Sequence, residues 1–375
     1  MKYCKVCLEN NLRPNVIFNK GLCPSCYYIK RNENENFWNK RLDLLKEVIQ
    51  QYKNLNNEFD CIVGVSGGKD SVRQALWVRD KLKMNPLLVC LSYPPQQVTN
   101  IGADNISNLI NLGFDVIISS LAPKTWKNLM KESFLKFANW AKPTELALFS
   151  SVPQAAIKFN IPLIFWGENV GLQVGDMAST SKKEYDGNNL RKLNTLNSGD
   201  LSWIKSKKFK PQDLVPYTYP SENEFKKNKI QIIYLGWFFK DWSMLNNAKS
   251  SIVEGLKIRD KKFKNYGDLF RTSSLDEDWV TFNQLIKYYK FGFGRATEYL
   301  NEEIRTGNIS RKDAAKIAQK YDGKFSRKII KDFCDFIEIS PSLFWSVVKK
   351  NTNKELFEIK GKVIKPKFTV GNNFD

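Results

Sequence analysis

The sequence predicts an α/β protein built on a parallel sheet, with a cysteine-rich N-terminal segment and a helical C-terminal region. Between residues 58 and 245, short apolar runs alternate with segments of helical spacing, which is typical of βαβ units with right-handed crossovers. Ligands bind such sheets at the carboxyl ends of the strands. The predicted strands cover residues 59–65, 87–91, 116–118, 163–166 and 230–235, and the predicted helices 70–84, 101–112, 124–140 and 144–159.

The most informative motif follows the first predicted strand. Residues 66–71 read Ser-Gly-Gly-Lys-Asp-Ser and lead directly into a predicted helix. A glycine-rich turn at a helix N-terminus presents backbone N–H groups and a partial positive charge to a phosphate. Gly67 and Gly68 permit unusual φ angles and the close approach of an anion. The spacing fits neither the Walker loop nor the dinucleotide fingerprint.

The polar side chains of this turn suit a bound anion as well. Ser66 and Ser71 add hydroxyl donors, Lys69 adds a cation, and Asp70 adds a carboxylate suited to Mg²⁺ or to the turn itself. An ordinary glycine-rich βα turn is the simpler alternative, but the complete hexapeptide after a strand favours a phosphate site.

The N-terminal segment carries four cysteines in two C-x-x-C pairs, Cys4 with Cys7 and Cys23 with Cys26. This spacing matches a structural Zn²⁺ site, in which four thiolates close a tetrahedron. An iron–sulfur cluster and a redox pair are the alternatives. The remaining cysteines lie in apolar surroundings and are interpreted as core residues rather than nucleophiles: Cys61, Cys90 and Cys334.

The composition restricts the classes of function. The 375 residues carry a net charge of +20, but only 12 of the 59 basic residues are arginine, the side chain that forks onto phosphates and guanines. A small anionic substrate or an acidic partner protein is therefore favoured over nucleic acid. No apolar run is long enough to span a membrane and the N-terminus lacks the apolar stretch of a signal peptide, so we expect a cytoplasmic protein.

The sequence contains no histidine. Chemistry based on a Ser-His-Asp triad, a Cys-His pair or a histidine-bound metal is excluded for these residues alone. An amidotransferase with this sequence cannot include its own Cys-His-Glu glutaminase, and its ammonia must come from outside.

Residues 171–229 are long for a plain connection and contain few apolar runs, which is typical of a lid or substrate loop or, equally, of a surface excursion. Ser310, Gly323 and Ser340 with Pro341 mark helix boundaries in the C-terminal region. The predicted parts of the chain are a zinc ribbon (1–31), a linker helix (32–57), a parallel α/β domain (58–245), which the resemblance described next implies to be an ATP pyrophosphatase domain, and a helical domain (246–375).

Two resemblances follow from these motifs. The hexapeptide at 66–71 resembles the S-G-G-x-D-S loop of the PP-loop ATP pyrophosphatases, an adenine nucleotide alpha hydrolase-like fold. Taken in order and over nearly the whole length, the chain resembles the N-acetyl sugar amidotransferases of bacterial surface-glycan synthesis, which act in lipopolysaccharide O-antigen and pseudaminic acid pathways. The blocks that carry this resemblance are the cysteine ribbon, residues 66–71, 166–169, 234–236 with Trp242, 290–295 and 309–314.

The resemblance implies the reaction and its participants. The acetamido oxygen of an N-acetylated, nucleotide-linked sugar would be adenylated by ATP, and ammonia from a separate glutaminase subunit would then give the acetamidino group. ATP, Mg²⁺ and a structural Zn²⁺ are the implied cofactors. The implied residues are Ser66, Gly67, Gly68, Lys69, Asp70 and Ser71 for ATP, and Lys69, Asp70, Glu168 and Asn169 for catalysis.

Two alternatives remain open. Glu168 follows the fourth predicted strand and could hold Mg²⁺ or the substrate amide, but it could also be a helix cap or a salt-bridged carboxylate. The rival function is a tRNA-modifying PP-loop enzyme of the thiolase or lysidine synthetase type, although a thiolase would be expected to carry further paired cysteines. The intact hexapeptide argues against a non-catalytic scaffold that uses the ribbon only to dock a partner.

Overall fold

The computed structural model describes residues 1–31, 35–53, 58–168, 173, 175–204 and 208–374. The strands are β1 (Cys61–Val65), β2 (Pro86–Ser92), β3 (Val116–Ser120), β4 (Leu163–Trp166), β5 (Gln231–Tyr234), β6 (Phe357–Lys360) and β7 (Val363–Pro366). The helices are α1 (Pro24–Arg31), α2 (Glu35–Lys53), α3 (Lys69–Asp80), α4 (Asn100–Asn111), α5 (Pro123–Phe137), α6 (Ala141–Lys158), α7 (Pro211–Leu214), α8 (Glu222–Lys227), α9 (Met244–Val253), α10 (Trp279–Phe291), α11 (Arg295–Arg305), α12 (Arg311–Tyr321), α13 (Arg327–Phe336) and α14 (Pro341–Asn351).

The central element is a five-stranded sheet with the order β3-β2-β1-β4-β5, in which every neighbouring pair is parallel. The chain builds outward from β1 through β2 to β3, then crosses to β4 and β5 on the other side. The carboxyl ends of β1 and β4 therefore flank the point where the direction of winding changes, which is the usual ligand crevice of such sheets. The predicted α/β class is confirmed, and the five strands lie within two residues of their predicted limits.

Both faces of the sheet are covered, as a parallel sheet requires. On one face, α5 and α6 pack Trp126, Phe134 and Trp140 against alternate strand residues. On the other face, α2, α3 and α4 enclose the remaining strand side chains, with Leu45 and Val72 completely buried.

The C-terminal region is helical as predicted. Ser310 and Ser340 cap α12 and α14 by accepting the backbone N–H groups of Asp313 and Leu343, because a serine hydroxyl replaces the missing intrahelical partner. The antiparallel hairpin of β6 and β7 was not predicted. Its strands are four residues each and rich in lysine, so the short apolar alternation gives little sequence signal.

The described residues of the 171–229 segment are not a plain surface excursion. Its aromatic side chains are buried in the main core, where Trp203, Tyr217, Tyr219 and Phe225 pack with residues of the sheet and of α6. None of the helices in the described ranges combines the length and the apolar character needed to cross a bilayer.

The cysteine-rich segment docks on the C-terminal helices. The Leu8 N–H donates to Asn301 Oδ1 at 2.7 Å, and the Asn10 amide donates to the Phe291 carbonyl at 2.8 Å. These contacts join the first 13 residues to α10 and α11, nearly 300 positions away in sequence. The two ends of the chain thereby build one wall of a cavity described below.

The turn after β1 depends on one glycine. Gly67 has a φ of +75°, in the left-handed region that glycine adopts without strain, whereas Gly68 has an ordinary φ of −76° as the N-cap of α3. A Cβ at Gly67 would lie 3.0 Å from the backbone of Asn105 and Ile106 in α4. The methyl group of an alanine would therefore press on α4.

We expect Gly67→Ala to lower the free energy of unfolding by more than the ~1–2 kcal/mol that the left-handed conformation alone costs an L-residue. Gly113→Ala is the matched control, because Gly113 has a φ of +89° but only the flexible Arg79 guanidinium near its Cβ position, at 3.9 Å. Urea unfolding of both variants tests this. Equal losses of stability would show that the contact with α4 is unimportant.

Candidate active site and metal centre

The loop at residues 66–71 lies at the carboxyl end of β1 and opens α3. Its N-cap, Gly68, has no side chain to cap the first turn, so the leading N–H groups of α3 stay available to an anion. The Ser66 N–H donates to the Ser71 hydroxyl oxygen at 2.9 Å, and this bond closes the loop. Ser71 therefore shapes the turn, and its hydroxyl oxygen also lies 3.4 Å from that of Ser66, so that one hydroxyl can donate to the other.

Lys69 and Asp70 form an ion pair inside this loop. Lys69 Nζ lies 2.6 Å from Asp70 Oδ2, and both side chains are largely buried. Burial alone would lower the pKa of Lys69, but the charges of Asp70 and Glu168 outweigh it and raise the pKa. Lys69 therefore stays an ammonium at neutral pH.

Helix α9 holds the loop from behind. Asn247, which is completely buried, donates from Nδ2 to Asp70 Oδ1 at 2.5 Å, and the Ser251 hydroxyl donates to the Lys69 carbonyl at 2.6 Å. Arg73 donates to Asn247 Oδ1 at 2.5 Å and so fixes the orientation of the amide. Sequence reasoning missed Asn247 because nothing in the sequence links a helical asparagine to a loop 177 positions away.

Glu168 lies after β4, and it joins the loop to a cavity of about 790 Å³. The Glu168 side chain faces the cavity, and the cavity walls enclose it. This withdrawal from bulk water is the main cause that raises the pKa of Glu168, and the negative charge of Asp70 is the second. Within the described residues it neither caps a helix nor forms an ion pair. Asn169 lies outside the described residues.

The cavity walls come from parts of the chain that are far apart in sequence. Within the described residues, several buried polar atoms of the walls have no hydrogen-bond partner, namely Trp203 Nε1, Asn283 Oδ1, Gln284 Oε1 and Arg295 Nε. Because buried polar atoms in proteins are normally paired, such a concentration favours a polar ligand. The charged lining residues are Glu9, Arg13, Lys142, Glu145, Glu168, Asp176, Asp200, Lys287, Lys290, Arg295, Glu298, Glu302 and Arg305.

Glu298 is the centre of the ionic network in this wall. Its carboxylate lies 2.6 Å from Lys287 Nζ, 3.0 Å from an Arg13 nitrogen and 3.1 Å from an Arg295 nitrogen. Burial alone would raise the pKa of Glu298, but the three cations lower it far below its usual range. One carboxylate thus joins the N-terminal segment to α10 and α11.

The four N-terminal cysteines form a compact buried cluster. All four Sγ atoms lie within 4.8 Å of one another, and the Cys7 and Cys23 sulfurs are 3.6 Å apart. Backbone N–H groups donate to Cys4, to Cys7 and to Cys23 at 3.3–3.5 Å. Such bonds stabilise thiolates, and the arrangement could hold a metal ion.

The other three cysteines, Cys61, Cys90 and Cys334, are buried in the core. Burial raises the pKa of Cys90 to about 12 and that of Cys334 to about 11, so both stay neutral thiols at physiological pH. They lack the cationic surroundings that activate a nucleophilic cysteine.

A parallel sheet with Ser-Gly-Gly-Lys-Asp-Ser after its central strand, joined to a cysteine cluster and a helical C-terminal region, is the arrangement that the resemblance to the PP-loop proteins predicts. Residues 260–368 match the family model described as "LPS biosynthesis protein WbpG-like, C-terminal domain". This part of the chain is similar to a domain of lipopolysaccharide (LPS) biosynthesis proteins. The match confirms the resemblance to proteins of surface-glycan synthesis.

Other comparisons give more distant similarities. The chain is 28% identical over 88 residues to "Uncharacterized protein MJ1599" of Methanocaldococcus jannaschii, an alignment that spans 23% of this chain and 31% of the relative. An NH3-dependent NAD synthetase from Campylobacter jejuni has 17% identity and a TM-score of 0.28, covering 60% of this chain and 97% of the synthetase. The U34-tRNA thiolase NcsA from Methanococcus maripaludis, with its [4Fe-4S] cluster, has 17% identity and a TM-score of 0.26, covering 60% and 75%.

The Glu298 network makes a prediction about stability. Glu298→Gln leaves Arg13, Lys287 and Arg295 buried without a full negative charge, so we expect the free energy of unfolding at pH 7 to fall by about 3 kcal/mol. Glu338→Gln is the control, because its pair with Lys127 is solvent-exposed and contributes little.

The pH dependence of this effect has a definite sign. The folded-state pKa of Glu298 is depressed, so its stabilisation is complete above the unfolded value of about 4.3 and is lost as the pH falls towards the folded value. The stability gap between wild type and Glu298→Gln should therefore shrink below about pH 4. A gap that is constant between pH 7 and pH 3.5 would contradict this explanation.

Proposed function

We propose that the protein is an ATP-dependent N-acetyl sugar amidotransferase of surface-glycan synthesis. It would convert an acetamido group of an N-acetylated, nucleotide-linked sugar to an acetamidino group, releasing AMP and pyrophosphate. Ammonia would come from a separate glutaminase subunit. We expect the reaction to take place in the cytoplasm, where ATP and nucleotide sugars are made.

One observation carries the proposal. The cavity beside the 66–71 loop includes Glu168 from the sheet and also Lys287, Lys290 and Arg295 from the region that matches the LPS biosynthesis domain. Glu168, whose charge acts on Lys69 of the loop, thus links the proposed ATP site to a cavity lined by the region that matches the LPS biosynthesis domain. An acceptor sugar bound in that space would have its acetamido oxygen beside the nucleotide.

The loop residues fit the phosphates of ATP. The uncapped N-terminus of α3 supplies N–H donors, and of the Ser66 and Ser71 hydroxyl groups, which lie within hydrogen-bond distance of each other, one can donate to a phosphate. Lys69 supplies a fixed positive charge. Asp70 accepts one bond on each oxygen and keeps lone pairs on both, which suits Mg²⁺, and bound Mg²⁺ would neutralise charge on the departing pyrophosphate.

The chain's own residues then act through position and charge. Asn247 and Lys69 orient the Asp70 carboxylate from opposite sides, so that it cannot rotate away from the loop. Glu168, with its raised pKa, holds a proton near neutral pH more readily than an ordinary carboxylate and could donate a hydrogen bond to the substrate amide. Adenylation makes the acetamido oxygen a good leaving group, and a nitrogen nucleophile displaces it. Asn169 is proposed to orient the same amide.

The cysteine cluster is proposed to hold one Zn²⁺ ion. A tetrahedral site with Zn–S bonds of about 2.3 Å has edges of about 3.8 Å. The 3.6 Å between Cys7 and Cys23, and the 4.8 Å limit for all four sulfurs, suit a single ion. A four-iron cluster would separate the sulfurs further, because each cysteine then binds a different iron.

The ATP half-reaction can be tested with Asp70→Asn. With ATP, Mg²⁺ and an acetamido sugar nucleotide, wild type should release AMP and pyrophosphate, and the variant should be at least about a hundredfold slower because it loses a preorganised charge. Asp332→Asn, a change on an exposed helix surface, is the control. Formation of ADP and phosphate by wild type would refute the assignment.

The source of nitrogen provides a second test. Because the sequence has no histidine to activate a glutaminase cysteine, glutamine alone should not support the reaction. Ammonium at alkaline pH should support the reaction, and the addition of a partner glutaminase should restore the use of glutamine. Mass spectrometry detects the exchange of the acetamido oxygen for NH. Glutamine-driven amidination by the purified chain, or modification of tRNA with no acetamido sugar accepted, would contradict the proposal.

The zinc proposal is tested by elemental analysis. We expect about one zinc per chain in wild type and almost none in Cys26→Ser, which should also unfold more readily because metal binding and folding are coupled. Cys334→Ala is the control, since this cysteine is buried far from the cluster in sequence and should leave the zinc content unchanged. Iron with the absorption spectrum of an iron–sulfur cluster would disprove the assignment.

A further inference from the structure

Two lysines lie near the ring of Phe137 at the cavity wall, and a third donates to the backbone carbonyl of the same residue. Lys136 Nζ lies 5.2 Å and Lys142 Nζ lies 5.8 Å from the ring centroid, and Lys290 Nζ donates to the Phe137 carbonyl. The indole of Trp203 packs edge-on against the same ring, with centroids 5.8 Å apart. Four separate segments, namely α5, α6, the segment after β4 and α10, thus bring cations and one aromatic N–H to a single place.

These lysines are paired only with backbone carbonyls. Lys136 donates to the Trp203 carbonyl at 3.3 Å and Lys142 to the Thr195 carbonyl at 2.9 Å. Among the described residues, no carboxylate oxygen lies within 4.0 Å of any of the three ammonium groups. An ammonium has three donors, so each lysine keeps unused N–H groups, and Trp203 Nε1 is a further buried donor without a partner.

Partial burial of these ammonium groups is energetically unfavourable unless an anion is bound. Burial lowers the pKa of Lys290 to about 8, and burial together with the nearby Lys136 lowers the pKa of Lys142. Asp200 and Glu145 act on Lys142 only from beyond ion-pair distance. Withdrawing like charges from water is unfavourable unless a counter-charge compensates them.

The position of the cluster relates it to the loop at 66–71. Helix α6 leads back to the start of β4, so its first residues, including Lys142, lie towards the edge of the sheet where the strands end. Lys142 and Lys290 line the same cavity as Glu168. A single ligand could therefore contact Glu168 with one group and the lysines with another.

We propose that Lys142, Lys290 and the Trp203 indole N–H, with Lys136 at the rim, form a subsite for an anionic group of the acceptor, either a phosphate or a carboxylate. The proposal rests on the proposed function in one respect, namely that the cavity binds the acceptor sugar. The anion is held by charge-assisted hydrogen bonds, and the acetamido group extends towards Glu168. The subsite would thus select acceptors by charge and set which acetamido group faces the nucleotide.

Equilibrium binding to the full chain in the absence of ATP tests the subsite. The probes are N-acetylglucosamine, its 1-phosphate, its UDP derivative and 2-acetamido-2-deoxyglucuronate. Wild type should bind at least one anionic probe more tightly than the neutral sugar. Lys290→Gln and Lys142→Gln should each weaken that binding by at least about tenfold, since each removes a hydrogen bond to a charged group, and leave the neutral sugar unaffected.

The controls separate the possible outcomes. Lys290→Arg should keep the affinity of wild type for the anionic probes. Lys328→Gln changes a highly exposed lysine and should leave that affinity unchanged. If the glutamine variants lose affinity only for the phosphate probes, the ligand group is a phosphate. If they lose affinity only for the glucuronate, the ligand group is a carboxylate. Because binding is measured without turnover, lysine-dependent binding alongside failed amidination would refute the proposed function but leave the subsite standing.

Two binding results would overturn the subsite. The first is that the anionic probes bind no more tightly than N-acetylglucosamine. The second is that both glutamine variants bind the anionic probes as tightly as wild type. Urea unfolding of each variant checks that the fold is retained. We expect it to be retained because lysine and glutamine share an aliphatic stem. Amidination by wild type with equal preference for neutral and anionic acceptors would support the proposed function while excluding the subsite.

Discussion

The cavity depends on the network around Glu298. Three cations from two distant parts of the chain share this one buried carboxylate, and without it they would repel one another in a partly dehydrated place. Because Arg13 belongs to the cysteine-rich segment and Arg295 to the C-terminal helices, the network also holds the two ends of the chain together. The cysteine cluster therefore does more than stabilise its own segment. By ordering the first residues, it would position Arg13 and one wall of the cavity.

A chain without histidine can still support demanding chemistry when the substrate supplies the leaving group. The residues around the loop provide fixed charges and oriented donors rather than a mobile proton, and their geometry is supported from behind by Asn247 and Ser251. Such support matters because preorganised charge is effective only if it does not relax during the reaction. Burial raises the pKa of Glu302 to about 7, so this cavity carboxylate can change its charge near neutral pH. Its bond to the Met244 N–H ties it to the start of α9, the helix that supports the loop.

The local features could be predicted from the sequence, whereas most of the cavity could not. The strands, the caps at Ser310 and Ser340, and the cysteine pairs are set by short-range periodicity and spacing, and the structure agrees with them. Asn247 has no local signal, because its role arises only when a helix from a distant position meets the loop, and the 290–295 block gave no sign that Lys290 lines a cavity. The hairpin of β6 and β7 was missed for a related reason, since four-residue strands rich in lysine carry too little apolar alternation. Gly67 was identified from the sequence as a position with an unusual φ angle, but its close contact with α4 has no local signal.

The distribution of basic residues gives the high net charge a specific meaning. Several of the 12 arginines are committed to the interior, where Arg41, Arg191 and Arg259 are less than a tenth exposed. Others are held in ion pairs, as Arg73 is with Asp241 and Arg295 with Glu298. Few guanidinium groups are thus left to read phosphates or bases on an outer surface, and the exposed charge is carried largely by lysine. Beside Phe137 at the cavity wall, Lys142 and Lys290 form no ion pair within the described residues, and a small anionic ligand could reach this place where a nucleic acid duplex could not follow. The same excess of charge that would suggest nucleic-acid binding therefore favours a small anionic substrate.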